Sequence, residues 1–432
     1  MIDLKGYKIG EQIYESSRTL VFRGERTLDK QSVVLKFLKG EYPKQEDLGR
    51  RKYEFEMINR IKSDGVIQAF SLHRFQHSLV LVMEDFGGTA LKEQLRTHDF
   101  DLKGILSIAI QIADSIGQIH NENIIHKDIN PSNIVWNPDS DQLKIIDFDL
   151  STRLSRQKAS FRAPELLEGT LAYISPEQLG RINRDVDYRT DFYSFGVTLF
   201  EMLTGQTPFQ SDDSMEIVHL HMAQQPVPPH KINPSIPQAV SDIILKLLAK
   251  NAEERYQGAF GLKSDLEFCL KQLMTEDQID SFPAGQTDVP SRFSISQKLY
   301  GRESELERLH EALERAIQGR KEMLLVSGYA GIGKTSLVRG MQHPVLQRQG
   351  YYVTGKFDPL HRNIPYSSIL YAFMDHILNL LTEKEEAVEK WRNQLQNVLG
   401  SIGQVLVEVI PEMELIIGKQ SPVPALPPKE EQ

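Results

Sequence analysis

The sequence predicts an α+β protein of two lobes, a small β-rich lobe followed by a larger α-rich one, with a partial α/β domain after them. Three observations carry this. Short apolar runs alternate with turns at the start of the chain, and from Lys103 onward apolar residues recur at helical spacing. Further on, a short apolar run, a glycine-rich turn and a helical pattern follow one another between Met323 and Val338.

In order, Tyr7 to Ile13, Leu20 to Arg26 and Ser32 to Leu38 read as successive antiparallel strands. Asp47 to Ile61 reads as a helix, because Phe55, Ile58 and Ile61 share one face. Val66 to Leu72 and Leu79 to Met83 read as two further strands. Ile105, Ile108, Ala109, Ile112, Ala113 and Ile116 mark a helix buried on one side, and helical patterns return at Val240 to Leu248 and Leu262 to Leu273. Asp280 to Gln297 is rich in Pro, Gly, Ser, Thr and Gln and reads as a linker. Arg302 to Ile317 is a charged amphipathic helix, and Met323 to Val326 is an apolar strand leading into the glycine-rich turn. The expected domains are 7–274, a linker at 275–298, 299–420, and a Pro-rich tail at 421–432.

Composition narrows the function. The 432 residues exceed one average domain, and 40% hydrophobic with 25% charged residues suits a globular core. A net charge of -9 argues against a nucleic-acid or membrane-surface partner, since both are anionic. Cys269 is the one cysteine, so there is no internal disulfide and no CxxC metal site. With no apolar signal core and no run of about 18 apolar residues, the expectation is a cytoplasmic protein.

The chemistry lies in an ordered series of motifs. His126-Lys127-Asp128-Ile129-Asn130-Pro131-Ser132-Asn133 places an Asp five residues before an Asn. Ile145-Ile146-Asp147-Phe148-Asp149 follows, then Gly169-Thr170-Leu171-Ala172-Tyr173-Ile174-Ser175-Pro176-Glu177 and Asp191-Phe192-Tyr193-Ser194-Phe195-Gly196. Upstream stands Val33-Val34-Leu35-Lys36. This series resembles the eukaryotic-type Ser/Thr protein kinases, whose patterns are V-A-I-K, H-R-D-L-K-P-x-N, D-F-G and A-P-E.

The resemblance implies a two-lobed protein kinase fold and transfer of the γ-phosphoryl of MgATP to a protein Ser or Thr hydroxyl. It makes Asp128 the base and positioner, Asn133 and Asp147 the Mg²⁺ ligands, and Lys36 the phosphate contact held by Glu54. Glu54 stands four before Ile58 and seven before Ile61, whereas Glu56 faces away. Ile13 and Val21 would line the ATP site, and Met83, Glu84 and Phe86 would form the hinge that holds the adenine. Arg255 stands where the family pairs an arginine with the Ser-Pro-Glu glutamate, here Glu177, and Thr170 would help position the substrate hydroxyl.

Four positions depart from the pattern. Tyr14, Ser16 and Thr19 occupy the three glycine positions of the phosphate-covering loop. Asn130 replaces the lysine that assists the γ-phosphate, Lys127 replaces the HRD arginine, and Asp149 replaces the DFG glycine. Loss of the arginine fork puts regulation by phosphate at Thr152, Ser155 or Ser160 in doubt. An active kinase and an ATP-binding pseudokinase serving as a signalling or scaffold module both remain open.

Gly328-Tyr329-Ala330-Gly331-Ile332-Gly333-Lys334-Thr335 matches G-x-x-x-x-G-K-[ST], the loop whose amides cradle phosphates. Gly328, Gly331 and Gly333 would shape it, Lys334 would reach the β/γ oxygens, and Thr335 would bind Mg²⁺. The lead-in from Tyr300 to Leu309 is similar to AAA-like ATPases of the STAND class. No Walker B strand ending in Asp follows Lys334, so about the first half of an NTPase is expected, with ATP bound and poorly hydrolysed. The two domains together resemble the front of bacterial multidomain sensor kinases, which implies downstream sensor or histidine kinase modules as partners.

Overall fold

The computed structural model describes residues 4–40, 42–153, 157–158, 171–179, 185–289, 301–329, 331–348, 350–355, 366–380 and 385–420. They fall into two compact units. The first takes the described residues up to 210 and 224–289, and the second takes 211–223 and 301–420.

The first unit opens with an antiparallel sheet of β1 (Tyr7–Glu15), β2 (Thr19–Arg26), β3 (Ser32–Leu38), β4 (Ala69–Phe75) and β5 (Ser78–Glu84), in the order β1-β2-β3-β5-β4. Alternation along β3 puts Val33, Leu35 and Phe37 into one cluster with Val80 and Val82, and turns Lys36 to the other face. On that other face Leu81 and Met83 join Met57 and Ile58 of α1 (Gln45–Arg60).

The expected strand at Val66 to Leu72 is displaced: β4 begins at Ala69. Val66 and Ile67 are buried, but in a crossing rather than in the sheet. Val66 bridges Ile145, Ile67 N donates to Ile145 O, and Ile145 N donates to Gly65 O. Core burial there produces the same apolar pattern as a strand.

The helical part follows β6 (Thr89–Ala90) with α2 (Leu91–Thr97) and α3 (Leu102–Asn121). Asp101 caps α3 by accepting from Gly104 N at 2.8 Å. Short strands β7 (Ile124–Ile125), β8 (Ile134–Asn137), β9 (Gln142–Ile145), β10 (Thr152–Arg153), β11 (Gln157–Lys158) and β12 (Asp185–Val186) frame the loops between α3 and α4 (Arg189–Thr204). They pair as β6-β8-β9, β10-β7 and β11-β12. Then come α5 (Ser214–Ala223), which groups with the second unit, and α6 (Pro229–Ile232), α7 (Gln238–Leu247) and α8 (Ala259–Thr275).

Ile108, Ala109 and Ile112 of α3 meet Phe192, Phe195 and Leu199 of α4 and Ile243, Ile244 and Leu247 of α7 in one core. Gly196 permits this approach, since a Cβ there would stand 2.7 Å from the Leu247 Cβ. Cys269 on α8 is fully buried in the same core.

Part of the segment read as a linker is packed on α8. Ile279 is buried, the Phe282 ring meets the Phe268 edge, and Gly285 N donates to Asp265. Asp288 accepts from Gln257 N at 2.6 Å and Gly258 N at 3.0 Å. It thereby caps a helix whose own N-cap residue, Gly258, has no side chain to offer. Residues 290–298 and the tail 421–432 lie outside the described residues.

The second unit contains α9 (Glu303–Ile317), α10 (Lys334–Arg339), α11 (Gln342–Gln347), α12 (Ser367–Leu380), α13 (Glu385–Leu399), α14 (Gly403–Val409) and α15 (Met413–Ile417). Ile377, Leu380, Ile410, Met413, Ile416 and Ile417 form its buried cluster. Met323 to Val326, expected as a strand, carries no strand pairing, and Met323 and Leu325 are 91% and 87% exposed. The described residues of this unit contain no strand for it to pair with, and an extended apolar segment becomes a strand only through a neighbour's hydrogen bonds. Among the described residues, no helix is long and apolar enough to cross a membrane.

Candidate active site

Strand β3 delivers Lys36 to the face of the sheet that α1 covers. There its Nζ donates to Glu54 Oε1 at 2.7 Å and lies 3.0 Å from Asp147 Oδ1 and 4.0 Å from Asp149 Oδ2. Glu54 is fully buried while Glu56 is exposed, as three-residue steps along a helix require. The second Glu54 oxygen accepts from Arg51 Nη1 at 2.6 Å, one turn earlier on the same face. Burial pushes the Glu54 carboxyl up to about 8, against the pull of Lys36 and Arg51. For Lys36, the neighbouring carboxylates of Asp147 and Glu54 overcome burial and raise the ammonium, keeping it charged.

The loop after β7 is held from below by Asp191 in the first turn of α4. Its carboxylate accepts from His126 N at 2.9 Å, Lys127 N at 2.7 Å and His120 Nε2 at 2.8 Å. Lys127 takes φ 70°, a left-handed conformation that these bonds impose on a non-glycine residue. His126 Nε2 bonds Ile146 O, and its ring meets the Phe148 edge at 4.7 Å, tying this loop to the Asp147 segment.

Asp128 stands between two asparagines. Asn130 Nδ2 donates to its Oδ1 at 2.9 Å and Asn133 Nδ2 to its Oδ2 at 2.8 Å. Burial, with Asp147 adding to it, pushes the Asp128 carboxyl up to about 7, and the two amides oppose that rise. Asn133 spends its amide N–H groups on Asp128, so its other polar atom is a neutral oxygen. That oxygen and the Asp147 carboxylate are the hard donors Mg²⁺ takes, and the set fits the ion. The Asp147 side chain is 35% exposed, which leaves it open to a ligand.

The remaining expected residues lie on β1, β2, β5 and the segment after β5. Val21 pairs directly with Lys36 across β2 and β3, and Ile13 lies exposed on β1 where the register with β2 shifts. Met83 and Glu84 end β5, but the Glu84 carboxylate is already engaged. It accepts from Lys144 Nζ and Gln68 N, both at 2.7 Å. Phe86 packs against the core, with Lys144 over its ring. At the β1–β2 turn, Ser16 Oγ accepts from Arg18 N at 3.2 Å and Thr19 N at 3.0 Å. Two backbone donors of the β1–β2 turn are thus already occupied.

Below the loop, Glu177 accepts from Arg255 Nη1 at 2.6 Å and Nη2 at 2.8 Å, and from Thr190 Oγ1 at 2.7 Å. Burial would raise this carboxyl, but Arg255 reverses the effect and holds it down to about 2. Gln178 Nε2 donates to Lys127 O, linking the same segment to the Asp128 loop. Gly169, Thr170, Ser155 and Ser160 lie outside the described residues.

In the second unit, Gly331 and Gly333 have φ 82° and 95°, left-handed conformations that glycine adopts without strain. Lys334 Nζ donates to Gly328 O and Tyr329 O, both at 2.8 Å, folding it over its own loop, and Thr335 is exposed on α10.

Sequence reasoning missed Arg51, His120 and Gln178. Arg51 had a signal, its place three residues before Glu54 on one helix face. His120 and Gln178 had none, because their partners lie 71 and 51 residues away.

Comparison with known proteins matches two domains in the chain. Residues 7–266 match the protein kinase domain model, and residues 298–432 match an AAA ATPase domain model. A hybrid signal transduction histidine kinase G of Dictyostelium discoideum is 32% identical over 77% of this chain and 12% of its own length. Serine/threonine-protein kinase PrkC of Bacillus subtilis is 29% identical over 60% of this chain and 40% of its own. Serine/threonine-protein kinase PknB of Mycobacterium tuberculosis is 31% identical over 43% and 29%. The chain therefore spans well under half the length of these relatives. From the Lys36 cluster through the Arg255–Glu177 pair to the family match over residues 7–266, the chain belongs to the protein kinase family and carries an AAA ATPase domain after its kinase domain.

Proposed function

We propose that this chain transfers the γ-phosphoryl group of MgATP to Ser or Thr hydroxyls of a protein substrate, in signal transduction. The observation that carries the reading is the pairing of Lys36 with Glu54 and Asp147 beside an Asp128 carboxylate held by Asn130 and Asn133. Phosphoryl transfer needs positioning and charge stabilisation more than covalent chemistry, and this set offers both. Lys36 would hold the α- and β-phosphates, fixed by Glu54. Asp128 would orient the substrate hydroxyl and take its proton. Asp147 and Asn133 would hold Mg²⁺, which supplies positive charge to the transferred group when bound. Asn130 steadies Asp128 and brings no cation to the γ-phosphate.

Ile13, Val21, Met83, Glu84 and Phe86 would frame the adenine through apolar contact and backbone bonds. Gly328, Gly331, Gly333, Lys334 and Thr335 would bind a second MgATP. We assign 7–274 to the kinase domain, 275–298 to the linker, 299–420 to the NTPase domain and 421–432 to the tail. A cytoplasmic location accords with a lone buried cysteine. Downstream signalling modules accord with the resemblance to a hybrid histidine kinase.

A second reading, ATP binding without transfer, is favoured by the occupied Arg18 and Thr19 amides at the β1–β2 turn. Intact-mass spectrometry after incubation with MgATP and a generic Ser/Thr substrate separates the two. Phosphate added by the wild type and not by Asp128→Asn supports the kinase. No transfer by either, with MgATP bound at the Lys36 site, supports the binding module.

A further inference from the structure

Arg51 is fully buried, yet among the described residues only one of its guanidinium nitrogens has a partner: Nη1 donates to Glu54, while Nε and Nη2 meet none. Nearby, Asp149 stands where the family has glycine, and its Oδ1 is a buried acceptor that is also without a partner among the described residues. Its Oδ2 is only at the edge of contact with Lys36, at 4.0 Å. Oxygens of Glu54, Asp147 and Asp149 lie within 4.8 Å of one another, and of the nearby cations Lys36 and Arg51 both pair with Glu54.

Buried donors and acceptors left unmet are costly, and a guanidinium is a fork suited to two acceptors. Arriving phosphates would make the imbalance worse. Lys36, now shared with Glu54 and Asp147, would turn toward the phosphates, and Asp149 would then face them as an unneutralised anion.

We propose that Arg51 is a positioning residue of the kinase nucleotide site, keeping Glu54 in place through one N–H and taking the Asp149 carboxylate on its free N–H groups when Lys36 engages nucleotide. The inference rests on reading the first unit as an ATP site. Arg51 and Asp149 thus form a charge-balanced pair, in which the carboxylate that replaced glycine is held away from the phosphates by a cation on α1. A purely structural Arg51 would act on Glu54 alone, and its removal would cost the same whatever residue stood at position 149.

That difference defines the test, a double-mutant cycle on MgATP affinity measured by titration calorimetry of the full chain. All variants carry Lys334→Ala, so that the second phosphate loop does not contribute. Arg51→Met is expected to weaken MgATP binding about tenfold when Asp149 is present and less than about twofold in the Asp149→Gly background. Equal losses in the two backgrounds, or no loss in either, would overturn the pairing. If Arg51→Met yields no folded protein, Arg51→Lys, which keeps the charge without the fork, runs the same cycle. Failure of the wild type to transfer phosphate would sink the proposed activity but leave this binding cycle readable. Failure of the Lys334→Ala parent to bind MgATP would overturn the pairing as well.

Discussion

Asp128 is the residue at which geometry and charge give the sharpest expectations. Its carboxyl, pushed up to about 7, must be ionised to accept a proton, so phosphoryl transfer is expected to rise with pH through neutrality. Asp128→Asn should lower transfer by about 10²- to 10⁴-fold, read from initial rates. The same elevation links to folding. The folded carboxyl titrates above the 3.8 of a free aspartate, so the native state binds more protons between those values and stability falls as pH rises across that window. Thermal melts should therefore show the Tm of Asp128→Asn gaining on the wild type from pH 4 to pH 8. The motifs made Lys36, Asp128, Asn133 and Asp147 visible, because their types and order are distinctive. Arg51 was passed over although it stands three residues before Glu54 on one helix face, since a charged residue on a helix most often faces solvent.

At the scale of elements, the β1–β2 hairpin and the Glu177 segment show how local chemistry sets larger behaviour. Ser16→Gly frees the amides of Arg18 and Thr19 that the hydroxyl now occupies, and about a threefold tighter MgATP affinity is expected in the Lys334→Ala background. Unchanged or weaker binding would show that the turn needs its serine. Arg255→Ala leaves Glu177 buried without its cation and should cost about 3–5 kcal/mol in denaturant unfolding. The Glu177 carboxyl is depressed in the fold, so the pair's contribution is complete above pH 4.5 and is lost as pH falls toward 2. Strands β1, β2, β3 and β5 and helices α1 and α3 were legible because alternation and helical spacing are local properties. The start of β4 was not, since Val66 and Ile67 are apolar for a crossing that only tertiary contact with Ile145 reveals. Met323 to Val326 misled for the converse reason, being strand-like in composition without a pairing neighbour among the described residues.

For the whole molecule, two phosphate-binding patterns in one chain predict two MgATP equivalents per protein, falling to one in Lys334→Ala, as counted by equilibrium dialysis. A stoichiometry of one in the wild type would remove the second loop from consideration. The two-lobed plan was readable from end to end, while the return of residues 279–288 over α8 was not, because Pro and Gly signal a break in regular structure whether or not the chain packs afterward. The single thiol on that same helix has a practical consequence. Cys269 is sealed in the core, and burial pushes its thiol up to about 12, so neither access nor thiolate favours alkylation in the folded state. A cysteine-reactive label will therefore attach only when α8 opens. The labelling rate becomes a clock for sub-global opening of the kinase unit, with no engineered probe and no competing cysteine elsewhere in the chain.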